Sequence, residues 1–217
     1  VPTRFAGRGR LPERPLGPLV EALAAHGCAF DGEKLPFTLS GRLTGGDFRL
    51  PGDVSSQFIT GLLMALPLVG GGRIHLTTPL ESAGYVRMTV SAMARFGVPV
   101  RENEGGYTVP GGAYHAAGAL TVEGGWSNAA FFLAAGVKVD GLDEASAQPD
   151  RAIASLLKAF DAPLRSIDVR ETPDLLPILA AVAAWTGGET RFTGAARLRI
   201  KESDRLKSMA EGIRAVG

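Results

Sequence analysis

The chain has 217 residues, of which 45% are hydrophobic and 21% are charged, and its 23 basic and 22 acidic residues give a formal net charge of +1. This composition predicts a folded protein with one large domain or two small ones, and it excludes a disordered chain. Opposite charges are interspersed along the sequence, so that no charged block indicates a nucleic-acid groove or a membrane-binding face. We therefore expect the protein to bind neither nucleic acid nor a membrane. Any specificity for an anion must come from a local group of residues.

Cysteine and histidine usage narrows the chemistry further. The single cysteine, Cys28, excludes an internal disulfide and a multi-cysteine metal site, and the three histidines lack the spacing of metal ligands. No apolar run reaches the roughly 18 to 20 residues of a membrane span, and the N-terminus lacks the basic and apolar regions of a signal peptide. These features predict a cytoplasmic protein. Because the first residue is valine, we expect the chain to begin in mid-protein.

Apolar periodicity predicts helices that alternate with short strand-like segments. The expected helices cover about residues 16–25, 55–68, 86–96, 127–135, 153–160, 174–184 and 206–216. The expected strands cover residues 37–40, 47–50, 73–77 and 98–101, with a hairpin turn at residues 104–107. Helix ends, several of them at a glycine, recur at intervals of roughly 55 to 70 residues. This pattern is typical of a repeated βα unit and predicts an α/β fold with helices packed on sheets.

A domain boundary is expected between residues 121 and 122. There the strand-like segment Ala119–Val122 meets Glu123-Gly124-Gly125, and a new apolar helix begins. We expect one part of the chain to cover residues 1–121 and the other to cover residues 122–217. A single domain with an internal loop is the alternative, and the pattern alone leaves it open.

The segment Gly52–Phe58 has the features of a phosphate site. Ser55 and Ser56 stand at a predicted helix N-terminus, where unpaired backbone N–H groups and the helix dipole attract anions. Gln57 beside them adds a further donor and acceptor. The alternative is an ordinary helix cap, which a serine pair alone does not exclude.

Two other segments carry donor side chains next to predicted helix starts. Arg14 precedes a proline that suits the first turn of a helix, and its planar guanidinium can face a carboxylate or a phosphate. Ser82 and Tyr85, in Ser-Ala-Gly-Tyr, stand before another helix and offer hydroxyl groups to a ligand. A solvated surface arginine and a capped turn are the structural alternatives.

Candidate acid and base groups lie in the C-terminal half of the chain. Asp174, in Thr-Pro-Asp, opens a very apolar helix, where its carboxylate either caps the helix or accepts a proton at a dry cleft. In the segment Lys201–Arg205, of sequence Lys-Glu-Ser-Asp-Arg, we expect Ser203 to cap the last helix. Arg205 then falls in the first turn, where a cation opposes the helix dipole, so that a bound anion explains it better than stability does.

Taken together, these segments resemble the 5-enolpyruvylshikimate-3-phosphate synthase family in their order and spacing. The motifs are Glu13-Arg14-Pro15, Ser55-Ser56-Gln57-Phe58, Ser82-Ala83-Gly84-Tyr85, Thr172-Pro173-Asp174 and Lys201-Glu202-Ser203-Asp204-Arg205. The resemblance runs over the whole chain, and the combination of Ser-Ser-Gln with Lys-Glu-Ser-Asp-Arg is specific. It implies transfer of the enolpyruvyl group of phosphoenolpyruvate to the 5-hydroxyl of shikimate 3-phosphate with release of phosphate, in the pathway to chorismate and the aromatic amino acids. It implies no metal or organic cofactor.

The resemblance also implies which residues bind shikimate 3-phosphate. Ser55, Ser56 and Ser82 match the ligands of its phosphate group. Tyr85 matches a residue that lines this site, and Gln57 matches a residue between the two substrates.

A second set of matched residues concerns phosphoenolpyruvate and proton transfer. Arg14 and Arg205 match clamps on phosphoenolpyruvate, which suits a fork-shaped cation facing carboxylate and phosphate. Asp174 matches a carboxylate that contacts the shikimate hydroxyls and is proposed as the base. Lys201 and Glu202 match groups proposed to carry a proton to and from the enol methylene carbon.

Length is the main departure from the family pattern. The family's proteins are roughly twice as long and fold as two domains of three βα-rich repeats each, so that this chain resembles a central part truncated at both ends. On this resemblance, residues 1–121 are most of the domain that binds shikimate 3-phosphate, and residues 122–217 are part of the second domain. Gly125 and Arg197 replace an acidic residue and an asparagine of other members. The complete protein is expected to be a monomer.

Three functional hypotheses follow from these residues. The first is the central fragment of this synthase, with little or no turnover by itself. The second is an enolpyruvyl transferase for another phosphorylated alcohol. The third, from a different class, is a non-catalytic module that binds a phosphorylated ligand and has lost the chemistry.

Overall fold

The computed structural model describes residues 1–201 and 203–217, which divide into two compact units, Val1–Ala119 and Leu120–Gly217. Each unit has its own cluster of buried apolar side chains. The division falls two residues before the boundary expected from the sequence. The assignment of each unit to a substrate stays a prediction.

The first unit begins with a small antiparallel sheet. It contains strands β1 (Thr3–Phe5), β2 (Cys28–Phe30) and β3 (Phe37–Gly41) in the order β1-β3-β2, and helix α1 (Gly17–Ala24) precedes β2. Pro18 lies in the first turn of α1, whereas Pro15, which the sequence analysis placed there, comes before the helix. Gly27 follows the helix at φ +90°, where a side chain would collide with the carbonyl of Arg42. Glycine therefore allows the chain to turn directly from α1 into β2.

The second sheet of this unit positions one half of the candidate site. It contains strands β4 (Gly46–Leu50), β5 (Gly71–Leu76), β6 (Arg101–Asn103) and β7 (Gly106–Pro110) in the order β4-β5-β7-β6, and it is accompanied by helices α2 (Ser56–Ala65) and α3 (Ala83–Arg95). β4 and β5 run parallel, and Leu50 pairs with Leu76 at their carboxyl ends. β6 and β7 form the predicted hairpin, with Asn103 paired to Gly106 across the turn.

The core of the first unit holds these strands and helices together. Its largest fully buried side chains are Phe48, Leu50, Ile59, Leu63, Leu66, Ile74 and Val86. Within α2, Ile59, Leu62 and Leu63 recur at the spacing of one helix face, which explains why the segment is helical and which face it buries. Each such side chain contributes roughly 1.5–3 kcal/mol on burial. This core therefore fixes where the helices begin relative to the strand ends.

The second unit repeats the parallel strand pairing. Its elements are helices α4 (Trp126–Ala134), α5 (Ile153–Leu156), α6 (Leu176–Thr186) and α7 (Arg205–Val216), and strands β8 (Leu164–Asp168) and β9 (Glu189–Thr193). β8 and β9 are parallel, and α6 connects them, as α2 connects β4 and β5. Leu175, Leu176, Leu179, Ile153 and Ile167 are among the residues of its core. The order of strand, helix, parallel strand and helix thus occurs in both units, and the predicted α/β fold is confirmed.

Of the strand predicted over residues 98–101, residues 98–100 are not a strand, because part of this segment ends helix α3. Val98 N–H donates to the carbonyl of Met93 at 2.9 Å, and Gly97 N–H donates to that of Ala94 at 3.1 Å. Gly97 has φ +83°, so that the three features form a Schellman motif. Strand pairing begins only at Arg101.

Other segments also differ from the sequence-based prediction. Residues 119–122 form no strand, and no described strand pairs with them, because their apolar side chains are exposed rather than alternately buried. Strands β8 and β9 were not predicted. The helices predicted at 55–68 and 153–160 continue as 3-10 helices, over Leu66–Val69 and Leu157–Asp161. No helix in the described part of the chain has the length and apolar character to cross a membrane.

Candidate functional site

Two helix N-termini meet the same edge of the second sheet. β4 and β5 are parallel and end in register, at the pair Leu50 and Leu76. α2 begins six residues after β4, and α3 begins seven residues after β5. The carboxyl ends of adjacent parallel strands are the usual position for ligands in α/β sheets, and helix N-termini attract anions.

The two loops at this edge are tied to each other by Thr78. Its hydroxyl accepts hydrogen bonds from the N–H groups of Gly52 at 2.9 Å and Asp53 at 3.3 Å, and it donates to Asp53 Oδ1 at 2.6 Å. Glu81 N–H donates to the Gly52 carbonyl at 3.1 Å. Thr78 belongs to none of the motifs in the sequence, and its role could not be found from the sequence, because it depends on the pairing of β4 with β5.

Ser55 occupies the N-cap position of α2 but does not act as an ordinary cap. Its backbone has the extended conformation that is usual at an N-cap, at φ −157° and ψ 118°, but its side chain makes no capping hydrogen bond. The residue is buried, and Ser56 and Gln57 follow it in the first turn. The structural alternative of a plain serine cap therefore does not describe this helix start.

Ser82 occupies the equivalent position before α3. It adopts the left-handed backbone conformation, with φ 57° and ψ 40°, and is the one non-glycine residue with positive φ in the described chain. Its side chain is buried, and Tyr85, in the first turn of α3, donates its N–H to the Ser82 carbonyl at 3.2 Å. A serine held in a conformation that favours glycine is a form of local strain that is often found at functional sites.

Arg14 reaches the start of α2 from a distant part of the sequence. Its backbone is extended after the 3-10 helix Leu11–Glu13. Its Nη2 donates to Gln57 Oε1 at 3.4 Å, across 43 residues of chain. The first unit thus brings two of the predicted site residues into contact beside the serine pair.

Asp174 and Arg205 form an ion pair in the second unit. Asp174 lies in the 3-10 helix Pro173–Leu175, which leads into α6, and Arg205 is the first residue of α7. Arg205 Nη1 donates to Asp174 Oδ1 at 2.5 Å, and the two side chains are 28% and 43% exposed, respectively. The predicted clamp and the predicted base are therefore bonded to each other.

The cap of α7 differs from the prediction. Asp204, not Ser203, is the N-cap, and its Oδ1 accepts from Lys207 N–H at 3.1 Å. Lys201 follows the 3-10 helix Ala196–Ile200, and α7 begins at Arg205. Glu202, a predicted proton carrier, lies outside the described residues. The expectation that Arg205 falls in the first turn is confirmed.

The two family departures have clear positions in the second unit. Gly125 is the N-cap of α4, and the adjoining peptides are held by Gln148, which donates to the Gly124 carbonyl and accepts from Trp126 N–H, both at 2.9 Å. Arg197 Nη2 donates to the carbonyl of Arg170 at 3.5 Å. Among the described residues, no three His, Cys, Asp or Glu side chains gather as a metal site requires.

Comparison with solved structures identifies the fold. Two structures of EPSP synthase from Acinetobacter baumannii have the same fold, with TM-scores of 0.68 and 0.67 at 24% and 21% identity. The matches cover 97% and 98% of this chain, and 55% and 56% of those chains.

Sequence comparison then gives the family. The family model described as EPSP synthase (3-phosphoshikimate 1-carboxyvinyltransferase) matches residues 1–162 and 144–217, and the chain therefore belongs to this family. Curated proteins named 3-phosphoshikimate 1-carboxyvinyltransferase are 41% identical in Methanocorpusculum labreanum and 39% identical in Halobacterium salinarum, over 99% of this chain in both cases. The chain spans 57% and 58% of the length of these two relatives. The predicted family is confirmed.

Proposed function

We propose that this chain is part of a 3-phosphoshikimate 1-carboxyvinyltransferase, which transfers the enolpyruvyl group of phosphoenolpyruvate to the 5-hydroxyl of shikimate 3-phosphate and releases phosphate. The observation that carries the proposal is the pair of serine-bearing helix starts at one sheet edge, formed by Ser55 and Ser56 on α2 and Ser82 on α3. Membership of the family, whose curated members carry this name, supports it.

In this proposal the first unit binds the phosphate of shikimate 3-phosphate. Serine hydroxyls and the first N–H groups of α2 and α3 donate to the phosphate oxygens, and both helix dipoles favour the negative charge. Tyr85 lines the site, and Gln57, held by Arg14, contacts the substrates beside the serine pair. The bonds of Thr78 to the preceding loop keep these donors in place before the ligand arrives, which lowers the entropic cost of binding.

The two arginines bind phosphoenolpyruvate. Arg14 and Arg205 each present a planar guanidinium, which matches the geometry of carboxylate and phosphate oxygens. Arg205 is bonded to Asp174 in the structure, so that an anionic substrate competes with this carboxylate for the guanidinium. We infer that substrate binding loosens the ion pair and releases the Asp174 carboxylate for chemistry.

The reaction requires two proton movements at separate atoms. As the 5-hydroxyl oxygen bonds to C2 of phosphoenolpyruvate, its proton passes to Asp174, and C3 receives a proton from Lys201, which gives a tetrahedral adduct. A proton on C3 of the adduct then returns to Lys201 or Glu202, the electron pair of that C–H bond re-forms the double bond between C2 and C3, the bond between C2 and the phosphate oxygen breaks, and phosphate leaves. Glu202 is proposed to share the C3 proton with Lys201. Both proton transfers are accelerated because the donor and acceptor groups are already held next to the reacting atoms and need not reach them by diffusion.

Calorimetric titration of the purified chain with shikimate 3-phosphate tests the binding step. We expect saturable heat, and about ten-fold weaker affinity or worse after Ser55→Ala or Ser56→Ala, since each hydroxyl bonded to a charged oxygen contributes about 1.5–3 kcal/mol. Ser91→Ala, at an exposed serine farther along α3, is the matched control and leaves the heat unchanged.

Turnover is tested separately by phosphate release. We expect none above background from the chain alone with both substrates present, because it spans little more than half the length of its relatives. The substrate assignment is wrong if shikimate 3-phosphate produces no saturable heat with folded protein, or if the serine variants bind as tightly as the parent chain.

A further inference from the structure

A cavity of about 450 Å³ lies in the first unit, and Ala83, the first residue of α3, lines it next to the proposed phosphate ligand Ser82. It opens between the loop that follows β5 and the hairpin of β6 and β7. Thr77, Thr78 and Leu80 line it from the loop, and Glu102, Asn103 and Tyr107 line it from the hairpin. A volume of this size accommodates a small organic molecule.

Tyr107 is the group that indicates a ligand. The residue is only 2% exposed, and its ring packs in the core beside Ile74, its partner on β5. Its hydroxyl donates to no described residue, and it is not one of the buried polar atoms without a partner, so that the oxygen is accessible from the cavity. Burial raises the pKa of Tyr107 to about 12, so that the hydroxyl remains a donor at neutral pH. The cavity wall therefore carries a donor that lacks an acceptor.

Glu102 gives the cavity its charge preference. It pairs directly with Tyr107 across the hairpin, and paired residues of antiparallel strands project from the same face of the sheet. Its negative charge is close enough to raise the pKa of Tyr107, and as the one charged residue among the described residues that line the cavity it favours a cation there. The hydroxyls of Thr77 and Thr78 add polar contacts, and Leu80 supplies an apolar wall for a carbon skeleton.

We propose that this cavity binds a small hydroxylated ammonium compound, with the ammonium group at the Glu102 carboxylate and a ligand oxygen accepting from the Tyr107 hydroxyl. Binding at this cavity requires neither substrate, although the cavity adjoins the proposed phosphate site through Ala83. Because Thr78 lines the cavity and also holds the N–H groups of Gly52 and Asp53, a bound molecule also contacts the loop that precedes Ser55.

Protonated Tris and pentaerythritol are matched probes, since they differ only in an ammonium group that replaces one hydroxymethyl group. We would titrate each into the ¹⁵N-labelled chain at neutral pH and constant ionic strength and follow the amide resonances. We expect Tris to shift the signals of Thr77, Thr78, Asn103 and Gly105 in a saturable way. Pentaerythritol should shift the same signals with about three-fold weaker affinity, the share expected of an exposed ion pair.

Substitutions separate this site from adventitious binding. Glu102→Gln should abolish the difference between the two probes, and Tyr107→Phe should weaken both while the ring keeps its packing. Glu104→Gln, in the adjacent turn, is the matched control and retains full binding. Linear shifts without saturation, shifts spread over the surface, or shifts that survive both Glu102→Gln and Tyr107→Phe would overturn the proposal.

Discussion

At the scale of single residues, burial changes the ionisation of Tyr107. Burial, together with the Glu102 carboxylate, raises its pKa from 10.0 to about 12, while Arg87 acts in the opposite direction. In the unfolded chain the phenol ionises near its ordinary pKa. The stabilising contribution of the neutral phenol is therefore complete below pH 10 or so and is lost as the pH rises toward 12.

Phenolate absorbance during an alkaline titration measures this shift. We expect one of the three tyrosines to ionise well after an ordinary phenol, and we expect the free energy of unfolding to fall across the same pH interval. Tyr107→Phe should remove the last step of the titration curve. A curve that keeps its late step in this variant would assign the shift to another tyrosine.

Ser82 allows a second test at a single residue, because its backbone conformation and its proposed ligand role can be separated. Ser82→Gly and Ser82→Ala both remove the hydroxyl, and both should weaken binding of shikimate 3-phosphate by about ten-fold. Only glycine relieves the left-handed backbone at φ 57°, so that Ser82→Gly should be more stable than Ser82→Ala by about 1 kcal/mol.

Chemical denaturation and calorimetry on the same two variants provide the measurement. Equal stability of the glycine and alanine variants would contradict the backbone argument. Unchanged affinity in both would remove Ser82 from the binding site.

Residues of the candidate site could be selected from the sequence, but their contacts could not. Ser55, Arg14 and Asp174 stand in motifs that the sequence displays directly. The bond of Arg14 to Gln57 and that of Asp174 to Arg205 join residues 43 and 31 positions apart, and only the folded chain brings such pairs together. Thr78 stands in no motif, and its function arises from strand pairing alone.

At the scale of secondary-structure elements, the start of α7 provides a direct test. Asp204 caps this helix through Lys207 N–H, and it also lies 3.5 Å from Arg199 Nη1. Asp204→Ala should cost about 1 kcal/mol of stability, within the range known for lost N-caps. Ser203→Ala, at the residue that the sequence analysis favoured, should change stability by less than about 0.5 kcal/mol. Urea denaturation of both variants decides between them, and a larger loss at Ser203 would restore the sequence-based assignment.

Elements were predictable where one face is apolar, and they were missed where a short strand has mixed character. The helix over Arg205–Val216 follows from its periodic apolar residues and is present. The strand Leu164–Asp168 alternates, but its buried positions include Arg165, a polar residue that does not suggest a core. Inside the fold, the two terminal nitrogens of the Arg165 guanidinium donate to the carbonyls of Phe160 and Gly187, which compensates part of its burial, while its Nε has no partner among the described residues. These partners come from other elements, and the local sequence therefore did not reveal the strand.

At the scale of the whole molecule, each unit has its own core, and residues 111–125, where they join, contain no helix or strand. Thermolysin, which cleaves before apolar residues, should cut first at Leu120 or Val122, both of which are exposed. Mass spectrometry of early digests identifies the site. Replacing both residues by aspartate should slow the first cut without changing the melting temperature, and a first cut inside a sheet would contradict the assignment of two units.

Exposed apolar side chains in the second unit predict self-association. Trp185 is 90% exposed at the end of α6, a helix without a charged residue, and Phe131 and Phe132 are exposed on the neighbouring α4. Helices that are apolar on every face are normally buried, and large exposed apolar patches mark contact surfaces. We expect Trp185→Gln to lower the concentration-dependent mass seen by light scattering. Leu68→Gln, at an apolar residue of the first unit that is 68% exposed, is the matched control; an equal effect there would exclude the α4 and α6 surface as the cause.

The parallel register of β4 and β5 has a consequence for how the protein can change over evolutionary time. The ladder that pairs Leu50 with Leu76 sets the spacing of the two serine-bearing helix starts, so that neither loop sets it alone. Inserting one residue into either strand would displace its helix by about 3.3 Å and reverse which side chains face the core. Small insertions and deletions within the strands therefore cannot adjust this spacing gradually. A member of the family that evolves to bind a ligand of another size must do so through substitutions and changes in the loops, while the pairing of β4 with β5 stays the same.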